Sequence, residues 1–168
     1  MNKTKIHFHV NGNAIETHAL PEMSLVDFLH EKLDLTGTKV SCGIGVCKAC
    51  TVAVTAPGAN GLKRVQACVT PASLLNGYNI FTVEWLASGN ILSPQQLSVL
   101  KNFSFQCGYC APGFLMGITL MIDQLKQNPI KKSDLHFFVK ENMGDHICRC
   151  SGYKKYYEAI YEILLDIS

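Results

Sequence analysis

Eight cysteines in two groups constrain this 168-residue chain more than any other feature. The first cysteine set is spaced C-x4-C-x2-C-x17-C, and the second is a C-x2-C pair followed much later by a C-x-C pair. The first set is Cys42, Cys47, Cys50 and Cys68, and the second is Cys107, Cys110, Cys148 and Cys150. No secretory signal is visible at the N-terminus, which favours metal ligation over a disulfide framework. We expect a cytoplasmic location by default, with export alongside a signal-bearing partner left open.

Composition excludes several functional classes. Apolar residues make up 48% of the chain and charged residues 17%, which is enough apolar material for a packed core. The formal net charge is +2, and the short lysine pairs at 131–132 and 154–155 do not form a basic stripe. No apolar run approaches the length of a membrane span. We therefore expect neither nucleic-acid binding nor direct membrane insertion.

The spacing of the first cysteine set is that of plant-type [2Fe–2S] ligation. A loop that supplies three thiolates to one small cluster must curl around it, with its backbone N–H groups directed at the sulfurs. Gly43 and Gly45 permit the positive φ angles and the close backbone approach that this curling requires. We expect Cys68 to arrive from a separate strand. The pattern therefore indicates an iron–sulfur cluster.

The second cysteine set lies where helices are predicted to begin. Cys110 precedes Ala111-Pro112-Gly113, and Cys150 precedes Ser151-Gly152. A helix N-terminus favours thiolate over thiol, so two such ends facing each other could hold four thiolates. Unligated buried cysteines and disulfides are weaker alternatives. Zinc is the stronger competitor because a tetrahedral set of four sulfurs suits either metal, although C-x-C is uncommon in zinc sites.

The N-terminal half combines strands with one helix. Residues 4–18 alternate apolar and polar side chains around Asn11-Gly12, which predicts a hairpin. Ser24 is the expected N-cap of a helix that ends before Gly37. Further strands are predicted over 51–55, 64–69 and 78–83. Residues 1–87 are therefore predicted to form a small α+β domain.

From residue 91 onward every signal is helical. Ser93-Pro94-Gln95-Gln96 supplies a capping box, Pro112 opens a second helix, and Ser133 is the expected cap of a third. Tyr156 begins the inner face of a fourth helix. Residues 91–168 are therefore predicted to form a four-helix bundle.

Three motifs together resemble the molybdenum hydroxylases, the family of xanthine dehydrogenase, aldehyde oxidoreductase and carbon monoxide dehydrogenase. SCGIGVCKACTV at 41–52 resembles that family's N-terminal cluster loop. QCGYCAPG at 106–113 and CRCSGY at 148–153 resemble its second signature. The resemblance covers nearly the whole chain. It implies an α+β chain with a β-grasp plant-type ferredoxin domain followed by an all-α four-helix [2Fe–2S] domain.

The same resemblance implies a function. The chain would be the non-catalytic iron–sulfur subunit of a multi-subunit oxidoreductase, in which a large partner holds the molybdopterin cofactor and the substrate. Electrons would pass one at a time through two [2Fe–2S] clusters to an FAD subunit or a cytochrome. Gln106 and Cys150 match positions that touch the pterin, which would place the second cysteine set nearest the molybdenum. No catalytic residue is expected in this chain.

Two other functions stay open from the residues. A free-standing two-cluster ferredoxin could serve several partners, and a zinc-stabilised module could act in regulation. The substrate of the enzyme is equally open among purines, aldehydes, N-heterocycles and carbon monoxide, since that pocket would belong to another chain.

The sequence departs from the family pattern at three places. Lys48 stands where relatives usually have glycine, and its charge would either raise the potential of the adjacent cluster or dock the electron acceptor. The x17 gap before Cys68 is longer than usual, with the extra residues in the loop 57–61. Asp145-His146 replaces a common Gly-Asn pair before the C-x-C motif.

Overall fold

The chain begins with a β-hairpin. The structure, a computed structural model, describes residues 3–165 and 167. Strands β1 (Thr4–Val10) and β2 (Asn13–Ala19) pair antiparallel. The turn between them consists of Asn11 at φ 51° and Gly12 at φ 86°. Positive φ at both positions is typical of the two-residue turns that match strand twist, which is why Asn-Gly predicts the hairpin well.

Helix α1 (Leu25–Leu33) follows the hairpin and begins as predicted. The Ser24 hydroxyl accepts a hydrogen bond from the Asp27 N–H. The helix ends earlier than predicted, at Asp34, which adopts the left-handed conformation at φ 55°. Gly37 is therefore not the C-terminal glycine. Its N–H instead donates to Glu84 Oε1 at 2.8 Å, a tertiary contact that the local sequence does not reveal.

Three more strands complete a mixed sheet. Strands β3 (Thr51–Thr55), β4 (Lys63–Gln66) and β5 (Asn79–Phe81) give the order β2-β1-β5-β3-β4, with β1 and β5 parallel. β4 and β5 are shorter than predicted because the chain turns away at residues 67–70 and at 82. The apolar face of α1 covers one side of the sheet, burying Phe28 and Leu29 against Ile6 and Val52. This is the predicted β-grasp fold.

The second half contains the four predicted helices. They are α2 (Pro94–Lys101), α3 (Ala111–Gln127), α4 (Leu135–Met143) and α5 (Lys154–Leu165). Helix α3 is the longest, and most of its first eleven residues are buried. The capping box between Ser93 and Gln96 is present on α2. The predicted cap of α4 is wrong: Ser133 lies in a short 3-10 turn, and its hydroxyl bonds Asp134 Oδ1 at 3.0 Å instead.

The two halves pack directly against each other. Ala53 of β3 belongs to the core of the helical half. The Leu62 N–H, just after the long loop 57–61, donates to Asp123 Oδ2 of α3 at 2.7 Å. The loop that lengthens the gap before Cys68 therefore leads into a contact with the longest helix. The domain limits at 87 and 91 stay predictions. None of the helices in the described ranges is long and apolar enough to cross a bilayer.

Candidate metal centres

The loop that carries most of the first cysteine set curls as predicted. Gly43 and Gly45 have φ values of 68° and 75°. The N–H groups of Ile44, Val46 and Cys47 point at the sulfur of Cys42, and the Cys47 nitrogen lies 3.4 Å from it. Hydrogen bonds from these backbone groups lower the pKa of Cys42 to about 6. The loop thus favours a thiolate before any metal binds.

The other two cysteines of the first set are less accessible: Cys50 is buried and Cys68 is half-buried. Cys50 immediately precedes β3 and is 1% exposed, and burial raises its pKa to about 12 although the Cys68 N–H opposes that shift. Cys68 lies in the turn after β4 and not within a strand. The Ala67 N–H donates to the Cys50 carbonyl at 3.1 Å, which holds this turn beside the loop. The sulfurs therefore group as the pairs Cys42/Cys47 and Cys50/Cys68.

The second cysteine set also groups as two pairs. The sulfurs of Cys107 and Cys150 lie 3.5 Å apart, and both residues are exposed. Cys110 and Cys148 are the inner pair. Burial raises the pKa of Cys110 to about 11, partly opposed by a hydrogen bond with Tyr156. Burial alone would also raise the pKa of Cys148, but hydrogen bonds from Ser151 and from the Cys150 and Cys110 groups lower it.

Only one of the two cysteine pairs lies at a helix N-terminus, and the predicted lowering of the thiol pKa is not seen there. Cys110 is the N-cap of α3, yet burial outweighs any benefit from the helix. Cys150 lies four residues before α5 begins at Lys154, so its pair does not cap a helix. The intervening residues include Gly152 and Tyr153, both at positive φ, and these make a turn instead of a first helical turn.

Two side chains near the second set were missed by the sequence reasoning. The Tyr156 hydroxyl lies 3.5 Å from Cys110 Sγ, and the Ser151 hydroxyl lies 3.1 Å from Cys148 Sγ. Burial and the nearby thiols raise the pKa of Tyr156, so its phenol stays protonated. Helical spacing had predicted that Tyr156 faces the core. The hydroxyl contact depends on tertiary packing, for which the sequence carries no signal.

A small cavity lies beside the second set. Its volume is about 140 Å³, and its lining includes Cys107, Cys110, Cys148 and Cys150 together with Cys47 of the first set. Gln106 is exposed next to Cys107. Two other cavities, of about 610 and 470 Å³, are lined by residues of α2 and α5, the second also by residues of α3, and neither lining includes a cysteine.

Direct contacts join the two cysteine sets. The Ile147 N–H donates a hydrogen bond to the Cys47 carbonyl at 3.2 Å. Cys47 belongs to the first set and Ile147 immediately precedes Cys148 of the second, so this hydrogen bond links the two sets. Asp145 lies 3.4 Å from Lys48 Nζ and 3.5 Å from the Arg64 guanidinium. The Lys48 side chain is only 17% exposed. Because Lys48 is largely buried and contacts Asp145 of the helical half, these contacts favour a role in holding the two halves together over a role in docking an acceptor.

The donor chemistry fits iron–sulfur clusters. Each set supplies four sulfurs and no carboxylate, and soft thiolates are the ligands that such clusters take. A [2Fe–2S] cluster binds two thiolates at each iron, which matches the two pairs within each set. Across residues 3–165 and 167, no three His, Cys, Asp or Glu side chains are spaced to hold a single metal ion.

Two family models match the chain. Residues 8–73 match a 2Fe-2S iron-sulfur cluster binding domain, and residues 82–161 match a [2Fe-2S] binding domain. Each match contains one complete cysteine set. The first extends from β1 into the 3-10 turn at Ala72–Leu75, and the second covers all four helices except the end of α5.

Individual relatives agree with these matches. One of them, a probable subunit of xanthine dehydrogenase from Bacillus subtilis, is 37% identical over 151 residues, which cover 90% of this chain and 80% of that protein. Aldehyde oxidase 1 of Rattus norvegicus is 35% identical over 95% of this chain. The chain spans only 12% of that oxidase, so it is similar to one part of a much longer protein.

Solved structures share the fold. Quinoline 2-oxidoreductase from Pseudomonas putida 86 superposes with a TM-score of 0.78 at 35% identity, covering 94% of this chain and 90% of the matched chain. Aldehyde oxidoreductase from Desulfovibrio gigas also gives 0.78 at 30% identity. That match covers 97% of this chain and 17% of the longer enzyme.

Proposed function

Because this chain belongs to the iron–sulfur subunits of the molybdenum hydroxylase family, we propose that it carries electrons between a molybdopterin-binding partner subunit and an external acceptor. The acceptor is an FAD subunit or a cytochrome, and the substrate site lies on the partner. The observation that carries this proposal is the arrangement of eight cysteines as four sulfur pairs, with one hydrogen bond linking the two sets.

Each cysteine set is assigned one [2Fe–2S] cluster. Such a cluster, when bound, takes up and releases one electron at a time, which divides a two-electron oxidation into single steps. The chain's own part is to hold the sulfurs and to supply hydrogen bonds to them. Gly43 and Gly45 direct backbone N–H groups at Cys42, while Ser151 and Tyr156 direct hydroxyls at the second set.

The two sets differ in how they meet the surface. Cys107 and Cys150 are exposed beside Gln106, which supports the proposal that this face contacts the pterin of the partner. Near the first set, Ile44 is 71% exposed and Val46 is 55% exposed. Exposed apolar side chains next to a ligand loop suit a protein contact. We assign the face around Ile44 to the acceptor.

The free-standing ferredoxin is disfavoured. The family match extends across the helical half, which a diffusible carrier with one β-grasp domain does not need. The zinc-stabilised module is disfavoured because both matching family models describe 2Fe-2S domains.

Purification of the tagged chain from its own host under anaerobic conditions tests the subunit assignment. We expect a stable partner that contains molybdenum at one equivalent per chain. A monomer that transfers electrons to several unrelated enzymes would contradict the assignment.

Two variants of the purified complex then test the direction of transfer. Cys107→Ser should abolish electron flow from the molybdenum subunit into this chain. Cys42→Ser should leave the second cluster reducible by substrate while blocking the external acceptor. If both variants lose the same cluster signal, the grouping of the cysteines is wrong.

A further inference from the structure

A tyrosine hydroxyl is buried against one sulfur of the second cysteine set. The Tyr156 residue is fully buried, with 0% of its surface exposed, and its oxygen lies 3.5 Å from Cys110 Sγ. A buried tyrosine hydroxyl needs a hydrogen-bond partner, because an unpaired polar group in the core is costly. The partner that the described chain offers this hydroxyl is the cysteine sulfur.

The ring that carries this hydroxyl is held firmly. It stacks on Phe114 with the ring centroids 3.9 Å apart and the planes 8° from parallel. Phe114 is 1% exposed and lies in the first turn of α3, four residues after the N-cap Cys110. Tyr156 lies in the first turn of α5. The donor and the acceptor therefore sit at the starts of two packed helices, which fixes the distance between them.

The chemistry of ligation decides which atom donates. A ligating cysteine is a thiolate, which has no proton and can only accept a hydrogen bond. The phenol of Tyr156 must then be the donor. Hydrogen bonds to ligand sulfurs are one of the features that set the potential of an iron–sulfur cluster. Reduction adds negative charge to the cluster and its sulfurs, so a donor stabilises the reduced form more than the oxidised form.

We propose that Tyr156 is a positioning residue that donates a hydrogen bond to the Cys110 thiolate and raises the reduction potential of the second cluster. This rests on the proposed function, because it requires a [2Fe–2S] cluster on Cys107, Cys110, Cys148 and Cys150. Its consequence is a bias in electron sharing: an electron arriving from the partner is held at the second cluster more strongly than it would be without the hydroxyl.

Packing alone does not account for the hydroxyl. A phenylalanine at 156 would keep the stack on Phe114 and fill the same volume. The same helix supplies a comparison at Tyr161, whose hydroxyl bonds His136 Nδ1 at 2.8 Å and whose ring also lies near Tyr157. Tyr161 thus has a hydroxyl bond of its own that involves no cysteine, which makes it a matched control.

The test is a redox titration of the full chain, with both clusters followed by EPR. In Tyr156→Phe, the midpoint potential of the second cluster should fall while that of the first stays unchanged, at unchanged iron content. Loss of one such hydrogen bond should shift electron sharing toward the first cluster by about three- to tenfold. Tyr161→Phe should shift neither potential. Wild-type protein in D2O should show an exchangeable deuteron coupled to the second cluster, weakened in Tyr156→Phe.

Three results would overturn the proposal. The first is an unchanged potential in Tyr156→Phe at full iron content. The second is loss of the second cluster in that variant with the first intact, since the hydroxyl would then serve assembly instead of tuning. The third, which needs no variant, is the absence of any coupled deuteron in wild-type protein. Wild-type protein without iron in the second set would instead refute the proposed function.

Discussion

The two cysteine sets differ in the source of the hydrogen bonds around their sulfurs. In the first set, backbone N–H groups of the loop 43–47 surround Cys42, which lies near the surface. In the second set, the Ser151 N–H also donates to Cys148 Sγ at 3.4 Å, but the side-chain hydroxyls of Ser151 and Tyr156 approach the inner sulfurs as well, while the outer pair is exposed. The first environment is therefore made by the path of the backbone, whereas the second combines a backbone donor with two side-chain hydroxyls.

Because of this difference, we expect the two sets to respond differently to substitutions. Backbone donors cannot be removed one at a time, so the first set should respond mainly to changes that alter the loop's conformation. Hydroxyl donors can be deleted without moving the chain, so the potential of the second set should be adjustable by single conservative substitutions. Variants that damage one set while sparing the other test whether the two environments are independent.

The largest effect should come from removing a ligand. Cys68→Ala should lose the first cluster and keep the second, and Cys110→Ala should do the reverse. Each variant should hold about half the wild-type iron, because each set supplies the four thiolates of one cluster. Iron and sulfide analysis with EPR on both variants checks this. Loss of all iron from either one would show that the two sets assemble as a unit.

The second-largest effect should come from crowding the contact between the first cluster loop and helix α3. A Cβ at Gly113, in the first turn of α3, would lie 2.9 Å from Ala49 Cα and closer still to the Lys48 carbonyl. Gly113→Ala should lower the free energy of unfolding by about 1–3 kcal/mol, because backbone cannot yield as a flexible side chain can. It should also weaken the magnetic coupling between the reduced clusters.

Gly117→Ala is the matched control on the same helix. Its added Cβ would meet Met143 Sδ at 2.6 Å and His146 Nε2 at 3.0 Å; both are side-chain atoms, and the long Met143 side chain can move aside. Denaturant unfolding should therefore show a smaller loss of stability in this variant. Equal losses of stability in Gly113→Ala and Gly117→Ala would mean that the backbone contact at Gly113 is no more sensitive to crowding than ordinary side-chain packing.

A smaller effect is expected from the shape of the first loop. Gly45 has φ 75°, and an added Cβ would lie 3.1 Å from Val69. Gly45→Ala should destabilise the chain by about 1–2 kcal/mol and shift the EPR signal of the first cluster alone. Gly58→Ala provides the control, since Gly58 has φ 70° but open space around its Cβ position. A shift in the second signal would contradict the independence of the two environments.

The smallest loss of stability should follow from removing the ion pairs that Asp145 makes between the two halves of the chain. Asp145 contacts Lys48 and Arg64 but is 51% exposed, so solvent screens the pairs. Asp145→Asn should cost about 1 kcal/mol or less in denaturant unfolding. Glu16→Gln, which removes the exposed pair with Lys5, should cause no measurable change. If Asp145→Asn and Glu16→Gln change the free energy of unfolding equally little, the ion pairs of Asp145 do not help to hold the cluster loops together.

Features that depend on neighbouring residues were predictable from the sequence. The Asn11-Gly12 turn, the capping box at Ser93 and the curled loop at Gly43 all appear where the local pattern places them. Each is decided within a few residues by backbone conformation or by a short-range hydrogen bond. The number of helices in the second half was likewise predictable, from the capping box, from proline and from the helical spacing of apolar residues.

Features that depend on distant residues were not predictable. The Gly37 N–H donates to Glu84, which is 47 positions away, and the local sequence carries no sign of that contact. Lys48 and Asp145 each looked like an isolated departure from the family pattern, and only the fold brings them together. The Tyr156 hydroxyl was interpreted as part of a core face, since helical periodicity carries no information about which sulfur lies opposite.

The most decisive single measurement is EPR of the anaerobically purified, dithionite-reduced chain, combined with iron and sulfide analysis of the same sample. We expect two distinct [2Fe–2S] signals and about four irons per chain. One signal with half that iron would contradict the assignment of the second set. A colourless protein that binds zinc and gives no signal would contradict both assignments.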